Sequence, residues 1–513
     1  MKEQFFGKTF WLTMGALVAT YVLTYFVQHT GVEPVALLVI ALITLAATLH
    51  KLENGLFIAF AELIATSHGH LLNAGPISIR MAIFGAVMLG WGVHILRGRR
   101  LNLGQPLLRP YYLLLLAVVL GFLIGWQSNI HHDVIDDGNG YFYVLYIFPV
   151  LTVAWDALKR RTLVQVFASA STFISLLTLV ILYLFTHTSE PTQRILYKFF
   201  RDARVAELTR VVDDIFRIFL QAQFFDVVFV LILASAAFWF WRNRRDQNII
   251  AGGIILTLST LIISLSRSFW IGIIAGGVAL AVCVMIIRRP SFKEIAVKKL
   301  AGVVMVATSV ALLWIVLAFP FPAGGNVSGF GDLLSDRTLQ GDDVAITSRW
   351  KLLPAMTQSI SESPILGKGF GTVVAFESDD PFVRERFPDG MWRTYAFEWG
   401  WLDTWLKMGM LGLIAILWLG IMTAKGLGRG FKGEHGWLTI GFFAGLVALY
   451  ATHTFSPYLN HPIGLGYLIF LTPFLTPSSK KAPKGAMVHI KEVIAAKAPS
   501  ASVASGSMVS FKE

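Results

Sequence analysis

Apolar runs close to the length of a bilayer crossing alternate with short polar connections along nearly the whole of this 513-residue chain. A spanning helix uses about 20 apolar residues, and the pattern predicts roughly fourteen such segments. They fall at 10–27, 35–50, 55–66, 79–96, 111–126, 141–158, 163–186, 225–241, 249–265, 269–287, 300–317, 400–424, 437–454 and 463–476. The third is short for a full crossing and fits a re-entrant helix equally well. Two longer stretches interrupt the alternation. In 187–224, Arg194, Lys198, Arg201, Arg204, Arg210 and Arg217 are interleaved with Leu, Phe, Val and Ile, which predicts an amphipathic helix on the outer surface. The other, 318–399, reads as a small extracytoplasmic domain, with a helix over 348–363 opened by Ser348 and kinked or delayed by Pro354.

The organisation expected is therefore N-terminal membrane helices (1–186), a periplasmic basic amphipathic segment (187–224), central membrane helices (225–317), a large periplasmic loop (318–399) and C-terminal membrane helices (400–476). A tail over 477–513, rich in Ser, Ala and Lys, is expected to be disordered and cytoplasmic. The fold class is an all-α polytopic membrane protein with about 12–14 transmembrane helices and one large periplasmic loop domain.

Composition sharpens this picture by exclusion. At 55% hydrophobic and 14% charged residues, the chain is no ordinary water-soluble protein and has no room for a large soluble catalytic domain. Its single cysteine, Cys283, lies inside an apolar run, which excludes an intramolecular disulfide framework and a cysteine metal cage. The formal charge of +12 would suit nucleic acid, but its distribution encodes topology instead. With a cytoplasmic amino terminus, Arg97/Arg99/Arg100/Arg109, Lys159/Arg160/Arg161, Arg242/Arg244/Arg245, Arg288/Arg289/Lys293/Lys298/Lys299 and Lys425/Arg429/Lys432 all fall inside. The short outside connections 28–34, 67–76, 127–140 and 455–462 carry no Lys or Arg. That is the positive-inside pattern, and it predicts both termini in the cytoplasm and no nucleic-acid partner. No small-residue cleavage site follows the first apolar run, so the first helix is expected to be retained.

Arg267 breaks the pattern. It stands in Ser266-Arg267-Ser268-Phe269-Trp270, a tight outside turn between two apolar spans. An Arg beside hydrocarbon is costly and is usually kept for a partner or ligand; the plain alternative is a side chain that satisfies turn carbonyls or reaches outer-leaflet phosphates. Arg217, just before the span opening at Phe225, is the second case, with lipid headgroups as its plain alternative. Arg80 and Arg210 are further outward arginines and candidate substrate contacts, although snorkelling accounts for Arg80. A guanidinium fork matches phosphate oxygens bidentately and stays protonated, so paired outward arginines suit a pyrophosphate leaving group and need no metal.

The turn SRSFW opening a helix, the basic segment ending in DDIFRIFLQAQFF, the loop SRWKLLPAMTQSISESPILGKGFG and the re-entry WLDTWLKMGMLGLI together resemble the O-antigen ligase and O-antigen polymerase superfamily of bacterial envelope glycosyltransferases. The likeness covers roughly 200–425 and rests on the order of these motifs, none of which is specific alone. It implies a fold of glycosyltransferase class C type in the bacterial inner membrane, without cofactor or required metal. It further implies an undecaprenyl-pyrophosphate-linked oligosaccharide donor, a glycan or lipid-linked glycan acceptor, surrounding membrane lipids, and a chain-length regulator or export partner. By position, Arg217 and Arg267 match the family arginines and would bind the donor pyrophosphate. Ligases of the family typically carry His-Asn before the helix ending in Leu-Gly-Leu-Leu-Gly. Aligning that ending on Met408-Gly-Met-Leu-Gly412 puts Glu398-Trp399 there instead, which favours a polymerase and makes Glu398 the candidate base for the acceptor hydroxyl. A Glu at a helix start is also an ordinary partner for the helix dipole.

The remaining polar groups carry less. Asp403 and Lys407 are spaced i, i+4 and should pair inside the bundle, with sugar binding by Asp403 as the alternative. Asp226 is a candidate counter-ion for Arg217, while Arg349, Lys351 and Arg393 are candidates for the donor groove. His453 and His461 bracket the last outside loop, where His461 could meet the acceptor. His68/His70 and His131/His132 have ligand-like spacing without third and fourth partners, so no metal is assigned. The run Gly367-Lys-Gly-Phe-Gly371 is a turn, not a nucleotide loop. The rival reading, a flippase or exporter of lipid-linked glycans, would favour internal repeats and midplane charges over charges gathered at one surface.

Overall fold

The computed structural model describes residues 2–322, 324–331, 344–378, 381–387 and 389–475; the expected tail 477–513 lies outside these. Polar caps and glycines divide the apolar sequence into helices. The chain opens with α1 (Lys2–Phe5), whose Phe5 packs edge-on against Phe229 and Trp437. Next come α2 (Lys8–Val27), α3 (Glu33–His50), α4 (Leu52–Ala65), α5 (Ile79–Leu96), α6 (Leu108–Ser128), α7 (His131–Gly138) and α8 (Ile147–Thr152). The Asp156 carboxylate accepts the Lys159 N–H at 2.8 Å and starts α9 (Ala157–His187). After α10 (Glu190–Asp202) and α11 (Phe224–Phe240), Asn243 caps α12 (Arg244–Ile263). Beyond α13 (Arg267–Ile287), Ser291 caps α14 (Phe292–Leu317). The later helices are α15 (Val344–Glu362), α16 (Pro381–Arg386), α17 (Gly400–Gly428), α18 (Gly436–His453) and α19 (Pro462–Leu471).

Eleven helices among the described residues are long and apolar enough to cross a membrane: α2, α3, α5, α6, α9, α11, α12, α13, α14, α17 and α18. The other three expected spans are shorter apolar pieces. They are the 14-residue α4, the 3-10 turn Asn139–Tyr146 running into α8, and α19 with the turn Thr472–Phe474. Each is buried in protein, which satisfies polar backbone internally and frees a segment from matching the lipid thickness. The centre of the bundle is built from α9, α11 and α18. Small residues permit close approach there: a Cβ on Gly276 of α13 would lie 2.7 Å from the Ala444 carbonyl of α18, and one on Gly441 2.7 Å from Ile232 Cα of α11. Large apolar side chains such as Leu42, Ile274, Val278 and Val303 are exposed on the outside of the bundle, as a lipid-facing surface requires.

The segment 187–224 departs from the expected single amphipathic helix. α10 accounts for its first part; β3 (Glu207–Val212) and β4 (Ile215–Phe219) then pair antiparallel, with Glu207 opposite Phe219 and Thr209 opposite Arg217. The β-branched residues Thr209, Val211, Val212, Ile215 and Ile218 suit a strand, and Asp213 takes a positive φ of 50° at the turn. The helix predicted to start at Ser348 begins at Val344 and runs through Pro354. Leu352, Met356 and Ile360 share one of its faces and form a small core with Phe376 of strand β5 (Val374–Glu377), Phe397 and Leu406 of α17. β5 pairs with β6 (Met391–Thr394), and a shorter hairpin joins β1 (Asn73–Ala74) to β2 (Ile77–Ser78) ahead of α5.

The glycine run 367–371 is a turn with a structural task. α17 breaks at Gly409, which sits at φ 64°, ψ −166° and would bring a Cβ 2.1 Å from the Ile365 carbonyl. The freed backbone groups find partners in the loop: Lys368 and Gly369 donate to the Leu406 and Lys407 carbonyls at 2.7 and 3.2 Å, and Met410 donates to Pro364 at 3.1 Å. Phe370 donates in turn to Gly121 of α6 at 3.1 Å, and its carbonyl accepts Asn129 Nδ2 at 2.8 Å.

Candidate functional site

The β3–β4 hairpin, the α12–α13 turn, the start of α15, the residues before α17 and the α18–α19 connection converge on one cavity of about 420 Å³. Arg217, Arg267, Arg349, Glu398 and His461 all line it. In β4, the two-residue alternation that buries Ile218 turns Arg217 and Phe219 to the other face, and both line the cavity. The Arg217 guanidinium lies 4.9 Å from the Phe219 ring centroid, and its Nε donates to the Ser264 carbonyl at 2.8 Å.

That carbonyl belongs to the same turn that presents Arg267. Leu265 holds a left-handed φ of 50°, a strained setting for a branched side chain that costs about 1–3 kcal/mol and must be maintained by its surroundings. The turn is tied down by hydroxyls: Ser266 Oγ meets Ser268 Oγ at 3.1 Å, Ser456 Oγ donates to Ser268 Oγ at 3.1 Å, and Thr452 Oγ1 donates to the Ser268 carbonyl at 3.3 Å. Arg267 is the first residue of α13, so the amide-rich, positive end of that helix opens beside it. On the facing wall, Glu398 forms an ion pair with Arg349, and Trp399 Nε1 donates to the Arg349 carbonyl at 3.0 Å.

Among the described residues, three guanidiniums and two carboxylates, Glu207 and Glu398, line the cavity, a formal excess of one positive charge. Its two imidazoles do not add to that. Burial, His461 and Arg80 push His68 down to about 3, and burial, with Lys407 next, pushes His461 down to about 4, so both stay neutral. Burial raises the Glu207 carboxyl, against the pull of Arg217, and raises the Tyr458 phenol. The lining thus combines guanidinium forks and a helix start for an anion with hydroxyls, imidazoles and an aromatic face for a polyol.

The other residues singled out from the sequence stand elsewhere. Arg80 does not snorkel: it is buried, with Nε at 3.1 Å from Glu62 Oε1 and Nη2 at 3.0 Å from the Ser67 carbonyl, because an unpaired guanidinium at that depth would be too costly. Arg210 pairs with Asp214 at the hairpin turn, and Arg393 donates to Asp389 at 2.8 Å on an exposed strand. Asp226 accepts from Thr260 at 2.9 Å rather than serving Arg217. Asp403 does pair with Lys407, at 2.6 Å, and is buried away from the cavity lining. Lys407 also reaches Asp137 at 2.5 Å, which sequence spacing could not reveal because the two lie 270 positions apart. Asn460 Nδ2 donates to Asp403 at 2.7 Å, so this charged knot anchors the connection that carries Tyr458 and His461 to the cavity.

Glu207 and Tyr458 are cavity residues that the linear reading passed over, and His68, noted there only for its ligand-like spacing with His70, lines the cavity as well. For Glu207 the missed signal was the β-branched run broken by Asp213-Asp214, which would have placed it on a hairpin face with Arg217.

Residues 252–417 match the family described as O-Antigen ligase (Wzy_C), in agreement with the resemblance read from the sequence. The match takes in Arg267, Arg349, Glu398 and the break at Gly409, and leaves Arg217, Glu207, His68 and His461 outside it. No curated protein matches the chain. The matching segment is similar to that family, and the eleven apolar helices are those of a multi-pass membrane protein.

Proposed function

We propose that the protein is an inverting, metal-independent membrane glycosyltransferase that polymerises lipid-linked oligosaccharide repeat units at the periplasmic face of a bacterial inner membrane. The donor is an undecaprenyl-pyrophosphate-linked glycan and the acceptor a glycan hydroxyl, as exopolysaccharide, capsule or O-antigen synthesis requires. The observation that carries this reading is the single cavity lined by Arg217 and Arg267, fixed by one turn: Arg217 is held by the Ser264 carbonyl and Arg267 begins the helix that follows.

In this reading the acceptor oxygen attacks the anomeric carbon from the side opposite the pyrophosphate, and the bond to the leaving oxygen breaks as the new one forms. The two arginines and the α13 amides meet the charge that collects on the departing diphosphate, an interaction stronger in the transition state than in the ground state. A carboxylate of the cavity takes the acceptor proton; Glu207 and Glu398 are the described carboxylates that line it. Glu398-Trp399, where ligases carry His-Asn, supports polymerase over transfer to lipid A-core.

The test incubates purified protein in detergent with lipid-linked oligosaccharide extracted from the producing strain. Longer lipid-linked glycans with released undecaprenyl pyrophosphate are expected. Movement of the lipid-linked sugar across a reconstituted bilayer without new glycosidic bonds would instead identify a flippase.

A further inference from the structure

Among the described residues, two carboxylates open onto the cavity, and one of them has no hydrogen bond or ion pair. Glu398 is locked in an ion pair with Arg349. Glu207 makes no hydrogen bond or ion pair among the described residues. The strand register explains its placement: with Glu207 opposite Phe219 and Thr209 opposite Arg217, Glu207 and Arg217 share one hairpin face as diagonal neighbours, roughly 7–8 Å apart. That backbone spacing leaves room for the acceptor oxygen, the anomeric carbon and the leaving oxygen to lie in line between the base and the leaving-group cation.

We propose that Glu207 is the general base of the glycosyl transfer, and that Glu398 is a positioning residue that orients Arg349. This rests on the reading of the cavity as a glycosyl-transfer site. The step balances simply. The acceptor O–H proton passes to a Glu207 carboxylate oxygen, the oxygen lone pair forms the new bond to the anomeric carbon, and the anomeric carbon–oxygen bond breaks with its electron pair going to the diphosphate. The protonated Glu207 then returns its proton to water.

The imidazoles of the cavity are poorer candidates. Held down near 3 and 4, His68 and His461 are feeble bases at neutral pH, whereas burial strengthens Glu207 as a base. Arg217 on β4 acts on Glu207 directly and Tyr458 lies beside it; the other charged groups lining the cavity among the described residues are Arg267 on α13 and the Arg349–Glu398 pair.

The test compares full-length wild type with Glu207→Gln and Glu207→Asp, using the same extracted lipid-linked oligosaccharide for turnover and undecaprenyl pyrophosphate alone for binding. Glu207→Gln should lose at least about 100-fold in kcat, keep undecaprenyl pyrophosphate affinity within about threefold, and lose the acid limb of the kcat/KM profile. Glu207→Asp should restore part of the turnover. A Gln variant within about threefold of wild type in kcat, with its acid limb intact, overturns the inference. So does joint loss of turnover and undecaprenyl pyrophosphate binding, which would make Glu207 a support for Arg217. Failure of the wild type to transfer glycan removes the glycosyl-transfer reading and this inference together, whereas a transferring wild type with an active Gln variant removes the inference alone.

Discussion

A guanidinium beside hydrocarbon must find carbonyls, a carboxylate or a ligand, and the arginines of this protein divide along those lines. Arg80 found Glu62 and the Ser67 carbonyl, and Arg210 found Asp214. Arg217 and Arg267 open on a shared cavity at the start of a helix. Arg267 was readable from sequence alone because a basic residue in an outside turn violates the charge pattern of every neighbouring short loop. Glu207 was not, since one acid among the mixed charges of 187–224 looks like solvated surface until strand pairing sets its face. If Arg267 grips a diphosphate, its fork matters as much as its charge. Arg267→Ala should cost about 100-fold or more in transfer, and Arg267→Lys should recover only a small part of that, read as product length on a gel with protein amount held equal. A lysine variant with full activity would reduce the role of Arg267 to point charge.

Between elements, stability and site geometry meet in the knot that joins α7, α17 and the α18–α19 connection. Lys407 sits between Asp137 and Asp403, and Asn460 extends the knot to the residue before His461. The i, i+4 spacing of Asp403 and Lys407 was visible in the sequence; Asp137 was not, because ion pairing between distant helices leaves no local signature. Removing the central cation strands two buried carboxylates, so Lys407→Met should destabilise the protein by about 3–5 kcal/mol. The triple variant Asp137→Asn, Asp403→Asn, Lys407→Met leaves no buried charge and should regain most of that loss in detergent thermal unfolding. If the triple is no better than the single, the knot acts through hydrogen bonds to Asn460 and Gly371 rather than through charge. The hairpin shows the same limit of linear reading: basic and apolar residues alternate in 187–224 at spacings that suit a surface helix, and only the Asp213-Asp214 turn betrays β3 and β4.

At the scale of the whole molecule, long apolar helices were easy to read because hydrocarbon thickness fixes their length, while α4, the 139–152 segment and α19 are short because protein rather than lipid surrounds them. If those three pieces also cross, the chain makes an even number of passes and both termini share a side. The charge pattern then sets which side. Arg242, Arg288, Arg289 and Lys293 cluster at the ends of α11, α13 and α14, while the cavity collects turns from the opposite ends of α12, α13 and α18. The positive-inside rule predicts a cytoplasmic cluster and an outward cavity. Orientation decides whether the proposed function can hold, because a lipid-diphosphate glycan extended outside the cytoplasm can be met only by an outward cavity. In a Cys283→Ser background, Ser189→Cys, between α9 and α10, should react with a membrane-impermeant maleimide in intact spheroplasts. Ser291→Cys, between α13 and α14, should react only after permeabilisation. The reverse labelling would turn Arg217 and Arg267 toward the cytosol and remove the basis for transfer from an exported lipid-linked donor.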